Sequence, residues 1–191
     1  TNLVYDSACG NRFPDNERAV DFAGEVLFAY DDTYLFVAFQ VTDDGLVPYT
    51  GADNRFFLGD GPQLLLDLDL NGDFSDPALS EDDVQIDFLP QMDAPRAALW
   101  QLSTLTSSLL ADTQTVVVPT ATGYVVESAV PWAVLGGAPQ PGDQLGVVAG
   151  VNDNDTPVSN NQECIIATAA QRDWRNPSTW GTLLLMPASS E

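Results

Sequence analysis

The residues best suited to chemistry in this sequence are carboxylates, and many of them lie in one stretch, DLDLNGDFSDPALSEDDVQIDF, residues 67–88. The stretch opens with D-x-D-x-N-G-D, a spacing of oxygen-bearing side chains that is typical of calcium-binding loops. The twelfth position, where a helix–loop–helix calcium site has a bidentate glutamate, is Ala78, and both flanking segments have the pattern of strands. The pattern therefore argues against a helix–loop–helix site.

A cation is nevertheless the best explanation for so many carboxylates in so short a loop. Seven acidic side chains lie between Asp67 and Asp83, and they repel one another unless a divalent ion or water separates them. Gly72 permits a sharp turn, and calcium accepts about six to eight oxygen ligands, whereas magnesium prefers to keep its water. We predict a structural calcium ion, with a solvated acidic loop as the alternative. The predicted ligands are Asp67, Asp69, Asn71 and Asp73, with a further carboxylate from Asp82 or Asp83.

The overall composition excludes several classes of function. The chain has 28 acidic residues against 6 basic ones, a formal net charge of −22, and contains neither histidine nor lysine. Catalysis by a Ser-His-Asp or Cys-His set needs an imidazole, and Schiff-base chemistry needs an amine. Glycoside hydrolysis needs only two carboxylates, but among 28 acids no pair is diagnostic, so we predict that the protein is not an enzyme. So acidic a chain predicts no nucleic-acid partner, and no apolar run approaches the roughly 20 residues of a membrane-spanning helix.

The two cysteines, Cys9 and Cys164, lie near opposite ends of the chain. An even number of cysteines outside the cytosol predicts a disulfide, which would tie the N-terminal segment to a late strand. Two unrelated buried thiols are the alternative. The chain begins at Thr1 without a signal peptide, which predicts a mature form or an excised domain. We expect a secreted or cell-surface protein.

Short apolar segments separated by turn residues predict an all-β fold, an antiparallel β-sandwich of about ten strands. In TYLFVAFQV both faces are apolar, as in an interior strand. One short helical turn is predicted at 131–136, between a proline and a glycine. Nothing divides the chain, so residues 1–191 are predicted to form a single domain, with an N-terminal extension, residues 1–17, packed on the sandwich or exchanged with a neighbour. The predicted strands are 25–30, 33–41, 62–70, 84–89, 96–102, 115–118, 123–130, 144–151, 163–170 and 180–186.

The order of four segments resembles the family 9 carbohydrate-binding modules and their wider β-sandwich relatives. The segments are DDTYLFVAFQVTDD, GDGPQLLLDLD, YVVESAVPWAVLG and WRNPSTWGTLLL, and the match runs in order from about Arg18 to Met186. This resemblance implies a β-sandwich, structural calcium and, in the members that bind sugar, a sugar held between aromatic rings.

Trp174 is the aromatic residue that we predict to bind a ligand. It lies in a polar loop, QRDWRNPS, whereas Trp132 is predicted in the core, Trp180 in the core or at its rim, and Trp100 on an undetermined strand face. An indole in such a loop can stack on a pyranose ring; a lid over the core and contact with another protein are the alternatives. The side chains predicted to bond the sugar hydroxyls are Arg172, Arg175 and Asn176.

A second aromatic ring is predicted from the loop VPYTGADNRFFLGD, where Tyr49, Phe56 and Phe57 are the candidates. The acidic loop VNDNDTPVSNNQ adds Asp153 and Asp155, as hydroxyl acceptors or as a second cation site.

Together these features predict a non-catalytic, calcium-stabilised extracellular module that binds a poly- or oligosaccharide. The alternative is a self-assembling structural subunit of a calcium-dependent surface layer, tube or fibre built on the same sandwich.

Overall fold

The computed structural model of the protein describes residues 1–5, 22–73, 75–155, 162–169 and 171–187. Within these residues the chain forms twelve strands and four helical segments of three or four residues. The strands are β1 Val4–Tyr5, β2 Phe22–Tyr30, β3 Tyr34–Asp43, β4 Gly61–Asp67, β5 Asp83–Leu89, β6 Arg96–Gln101, β7 Thr106–Leu109, β8 Gln114–Thr120, β9 Gly123–Pro131, β10 Gln144–Asp153, β11 Cys164–Ala167 and β12 Gly181–Leu184. The helical segments are Phe56–Leu58, Leu70–Asp73, Trp132–Leu135 and Pro177–Thr179. In the described part of the chain, no helix is long and apolar enough to cross a membrane.

The strands form two antiparallel sheets, which confirms the predicted sandwich. The larger, eight-stranded sheet has the order β1-β11-β10-β4-β5-β6-β7, with β12 also paired to β10. The smaller sheet has the order β2-β3-β9-β8. Since β4 and β5 are consecutive neighbours in the larger sheet, the acidic loop that joins them lies at one end of that sheet.

The core lies between the two sheets and is built by alternation along the strands. In β3, Leu35, Val37 and Phe39 are at most 2% exposed and pack with residues of the larger sheet such as Ile86. The strand is interior to its sheet, as predicted, because it pairs with both β2 and β9. Its other apolar face is open, since Phe36 is 38% exposed.

Two short turns connect strands at this side of the smaller sheet. The β2–β3 turn is tight because the Asp31 side chain accepts hydrogen bonds from the backbone N–H groups of Thr33 and Tyr34, both at 2.7 Å. The predicted helical turn is the segment Trp132–Leu135, which ends at Gly136 in the left-handed conformation, with φ 96°. Trp132 is buried, as predicted, and its indole N–H donates to the Asp31 carbonyl at 2.9 Å.

The first five residues pack on the sandwich. Strand β1 pairs with β11, with Tyr5 opposite Ile166, and the Leu3 N–H donates to the Gly24 carbonyl at 2.8 Å. Cys164, the first residue of β11, is buried and is not a free thiol. Its predicted partner, Cys9, lies outside the described residues, so their bond stays a prediction.

Candidate functional site

A cavity of about 310 Å³ lies on the outer face of the eight-stranded sheet. Leu64 and Ile86 point into the core, so their strand neighbours Gln63 and Gln85 point outward and form part of the cavity wall. Strand register brings Trp100 opposite Gln85. The lining residues are Arg55, Phe57, Gln63, Gln85, Trp100, Leu102, Leu105, Gln162, Arg172 and Trp174.

The predicted Trp174 loop forms one side of this cavity. Arg172 and Trp174 both line it and are half-buried. The Arg175 guanidinium lies 4.5 Å from the centroid of the Trp174 ring but does not line the cavity. A ligand would therefore meet the part of the indole that Arg175 leaves open.

Asn176, the fourth predicted residue of this loop, holds the loop in shape. Its side-chain oxygen accepts hydrogen bonds from the N–H of Ser178 at 3.2 Å and from its hydroxyl at 2.6 Å. The Trp180 indole N–H donates to the Asp173 carbonyl at 2.9 Å, which fixes the other side of the loop to the buried Trp180. These bonds position Trp174 before any ligand arrives.

Of the three candidates for a second ring, the structure brings Phe57 to the cavity. Phe57 and Trp100 both line it, with their ring centroids 6.1 Å apart in an edge-to-face arrangement. Tyr49 and Phe56 are 4% and 1% exposed and form a separate buried cluster with Leu89, so neither can stack on a ligand. Aromatic residues of a loop can bury themselves beneath it, and the sequence does not distinguish them from those that line a site.

The polar part of the cavity is a network of side-chain amides. Gln85 donates to Asp87 at 2.7 Å, and the Gln63 side-chain oxygen accepts from Asn152 at 3.3 Å. Gln162 in turn donates to the Asn152 side-chain oxygen. Because each amide is held by another polar side chain, the wall is fixed in advance, which lowers the entropic cost of binding.

The buried Asp87 carboxylate beside this network should make stability depend on pH. Burial raises the pKa of Asp87 from 3.8 to about 7, and the Gln85 hydrogen bond opposes this only in part. Below about pH 4 the group is protonated in both states; between pH 4 and 7 the unfolded chain ionises first, so stability falls as pH rises. We expect Asp87→Asn to gain up to about 4 kcal/mol relative to wild type between pH 4 and pH 7.

The measurement is the free energy of unfolding by urea at several pH values for both proteins. The other acidic residues titrate in both proteins, so the difference between the two curves of unfolding free energy against pH reports Asp87 alone. If the difference in unfolding free energy between the two proteins stays constant from pH 4 to pH 7, ionisation of Asp87 costs nothing in the folded state.

The acidic loop brings three of its predicted ligands together. The three ligands are Asp67, Asp73 and Asp82. Each contributes one carboxylate oxygen, and these three oxygens lie within 4.8 Å of one another. Asp67 ends β4 and is buried opposite Gly146, where a Cβ atom would lie 2.7 Å from the Asp67 Cβ. Asp73 ends the helical turn Leu70–Asp73, and Asp82 immediately precedes β5.

The remaining predicted ligands of this loop differ in placement. Asp83 is buried, and its Oδ2 accepts from the Ser80 N–H at 2.7 Å, while its Oδ1 has no hydrogen-bond partner in the described residues. Asp69 is exposed and is not part of the three-carboxylate cluster. The side chain of Asn71 lies outside what the structure describes.

The electrostatics of this loop fit a bound cation. Burial, and then the charges of Asp83, Asp73 and Asp82, raise the pKa of Asp67 to about 6. Within the described residues, the buried Oδ2 of Asp82 also lacks a hydrogen-bond partner. Oxygen ligands of this kind suit a hard divalent ion, so the loop can hold a metal.

A second acidic cluster consists of Asp43, Asp60 and Asp153, all buried, with carboxylate oxygens within 4.8 Å of one another. They come from the end of β3, the residue before β4 and the end of β10. The sequence indicated Asp153 and Asp155 for a second cation site, and of these only Asp153 belongs to the cluster, while Asp155 is exposed. Asp43 and Asp60 were not predicted, because three distant segments meet here only in the folded chain. This cluster can also hold a metal ion.

Asp60 is the fixed centre of the second cluster. It is fully buried and accepts hydrogen bonds from the backbone N–H groups of Val47 and Asn154, the latter at 2.5 Å. Burial raises the pKa of Asp60 to about 9, despite these bonds. The buried Tyr124 hydroxyl has no hydrogen-bond partner in the described residues, and its pKa is raised by burial and then by the charges of the three aspartates.

Comparisons with known proteins agree on the type of domain. The family model described as "Carbohydrate family 9 binding domain-like" matches residues 8–188. A comparison with curated protein sequences gave no match.

Solved structures share the fold over nearly the whole chain. A family 9 carbohydrate-binding module from Caldicellulosiruptor kristjanssonii in complex with cellotriose is 18% identical, with a TM-score of 0.64 over 98% of this chain and 83% of that chain. A module from the same organism in complex with glucose is 18% identical, with a TM-score of 0.58 over 99% and 96%. A putative carbohydrate-binding protein from Bacteroides uniformis is 7% identical, with a TM-score of 0.59 over 95% and 84%. At these identities the likeness establishes the fold alone.

Proposed function

The chain belongs to the carbohydrate family 9 binding domain-like family, and on that basis we propose that it is a non-catalytic module that binds a poly- or oligosaccharide in the cavity beside Trp174. The observation that carries this proposal is the grouping of three aromatic rings, Phe57, Trp100 and Trp174, around a wall of fixed amides. The structures with cellotriose and glucose make those two sugars the first probes. Family membership favours this function over that of a structural subunit.

The residues that line the cavity are of two kinds, which would contact different parts of a sugar. Aromatic rings cover the apolar face of a pyranose, while amide and guanidinium groups bond its hydroxyls. Few rings and few hydrogen bonds take part, so the dissociation constant should lie in the micromolar to millimolar range, roughly −8 to −4 kcal/mol.

Calcium has a structural role in this proposal. The loop site is formed by Asp67, Asp73 and Asp82, with Asp83 beside them, and the second site by Asp43, Asp60 and Asp153. Both lie away from the lining of the cavity, so an ion would stabilise the strand ends without touching the sugar.

The proposal extends to the chain as a whole. Residues 1–191 form a single β-sandwich domain, whose N-terminal extension is fastened by the Cys9–Cys164 disulfide. Such a bond needs an oxidising compartment, so the module functions outside the cell or on its surface.

The test of this function is Trp174→Ala, titrated calorimetrically with glucose and cellotriose. We expect binding about 10- to 100-fold weaker than in wild type, because the variant loses a central aromatic contact. Phe36→Ala is the matched control, since it truncates a partly exposed ring on the other sheet, and it should bind like wild type.

Equal affinities of Trp174→Ala and wild type would place the sugar elsewhere. Sedimentation in calcium provides the second readout. If wild type binds neither sugar and Trp174→Ala stops assembling, the structural-subunit alternative replaces the binding module.

A further inference from the structure

Three amide side chains that line the cavity, those of Gln63, Gln85 and Gln162, belong to one hydrogen-bond network. An amide group donates through its NH2 and accepts through its oxygen, so its orientation is fixed by its partners. Two groups at the ends of the network only accept, namely the ionised Asp87 carboxylate and the Gly61 backbone carbonyl. These two acceptors decide which way each amide of the network points.

The Gln85 amide is oriented by Asp87. Its NH2 group donates to the Asp87 carboxylate at 2.7 Å and, more weakly, to the Gln63 side-chain oxygen at 3.5 Å. The opposite orientation would place the Gln85 oxygen against two other oxygens, which repel it. The Gln85 oxygen therefore points away from Asp87, and within the described residues it accepts no hydrogen bond.

The other end of the network is oriented by Gly61. The Asn152 NH2 group donates to the Gly61 carbonyl at 3.4 Å and to the Gln63 oxygen at 3.3 Å. The Asn152 oxygen therefore faces Gln162 and accepts from its NH2 group. This arrangement leaves the Gln63 NH2 group and the Gln162 oxygen without a partner in the described part of the chain.

The cavity wall thus offers two acceptors, the oxygens of Gln85 and Gln162, and one donor, the NH2 group of Gln63. A ligand that removes these oxygens from water without donating to them leaves them unpaired, which costs free energy. A sugar hydroxyl can donate one hydrogen bond and also accept, whereas an ether or ester oxygen at the same position only accepts. The wall therefore favours a sugar with free hydroxyls.

We propose that Gln85 and Gln162 determine the specificity of the cavity, each accepting a hydrogen bond from a different free hydroxyl of the bound sugar, while Gln63 donates to an oxygen of the same ligand. The inference rests on the proposed sugar-binding function and adds to it the direction of the hydrogen bonds that select the sugar.

A series of glucose derivatives tests the inference. The derivatives carry fluorine in place of the hydroxyl at C2, C3, C4 or C6, and methyl glucoside covers C1. Fluorine occupies nearly the space of a hydroxyl but has no hydrogen to donate. Each derivative competes with cellotriose for the intact protein in calcium at pH 8, where Asp87, whose pKa burial raises to about 7, is mostly ionised. At two positions we expect binding about tenfold weaker than that of glucose, because an amide oxygen is left unpaired.

Two glutamine variants assign these positions to residues. In Gln85→Met the loss at one position should disappear, because the variant has no oxygen to leave unpaired, and in Gln162→Met the loss at the other should disappear. Gln114→Met, the same change at an exposed glutamine of the smaller sheet, should keep both losses. The melting temperature shows whether Gln85→Met is folded, and Gln162 is exposed, so its variant tests the inference without disturbing the core.

The outcomes separate this inference from the proposed function. If neither glucose nor cellotriose binds to folded wild type, the sugar-binding function fails and the inference fails with it. If the sugars bind but every derivative competes as well as glucose, or the losses persist in a folded glutamine variant, the amide oxygens do not select the ligand. The inference is then wrong, while the binding module stands.

Discussion

Removal of calcium should lower the melting temperature of this protein by about 8–16 °C. An ion at 1,000 times its dissociation constant stabilises the folded state by about 4 kcal/mol, and each kcal/mol is worth about 2–4 °C in a domain of this size. The acidic loop places one carboxylate oxygen from each of Asp67, Asp73 and Asp82 within 4.8 Å of one another, and an ion would relieve the repulsion between these charges. The measurement is thermal unfolding in excess chelator and after calcium is restored.

Variants show which cluster holds the ion. Asp67→Asn combined with Asp82→Asn removes two charges from the loop and should abolish its share of the calcium effect. Asp60→Asn removes one carboxylate from the second cluster and should abolish the share of the calcium effect that comes from that cluster. Asp112→Asn removes an exposed carboxylate outside both clusters and should leave the effect unchanged. An unchanged melting curve of the wild type in excess chelator would contradict structural calcium at either place.

The difference between the two clusters shows how far the sequence predicts such sites. The loop cluster was predicted because its residues lie within 16 positions of one another and the chain itself brings them together. The second cluster depends on strand pairing between segments that are far apart, since β4 pairs with β10 and β3 lies in the other sheet. Only the register of the folded sheets brings Asp43, Asp60 and Asp153 into contact range.

The fold was predicted more completely than the candidate site, for a related reason. Alternation along β3 sets which residues are buried, and Leu35, Val37 and Phe39 follow it. The cavity depends instead on which face of β6 is outward, and that is decided by pairing with β5, where Trp100 lies opposite Gln85.

A signal for the cavity was nevertheless present in the sequence. Gln63, Gln85 and Asp87 are polar residues at alternate positions of otherwise apolar strands. Polar residues in such strands are stable only where they bond one another or a ligand, so they mark the outward face beneath the cavity.

The predicted Cys9–Cys164 disulfide has the second of the two largest expected effects on stability. A bond between Cys9 and Cys164 closes a loop of about 155 residues, which in the chain-entropy model contributes about 4–5 kcal/mol. Strand register favours the pairing, because Tyr5 lies opposite Ile166, two residues from Cys164. Four further residues, which span up to about 14 Å, connect Tyr5 to Cys9, enough to reach the Cα separation that a disulfide requires.

Intact mass after denaturing alkylation, with and without prior reduction, tests the bond itself. We expect no alkylation before reduction and two alkylated cysteines after it. Cys9→Ser is the best variant for stability, because it breaks the bond and leaves the buried Cys164 in place. It should unfold about 4–5 kcal/mol more easily than oxidised wild type, and reduced wild type should match it. Two alkylated cysteines without reduction would mean free thiols, and residues 1–5 would then be held to β11 by strand pairing alone.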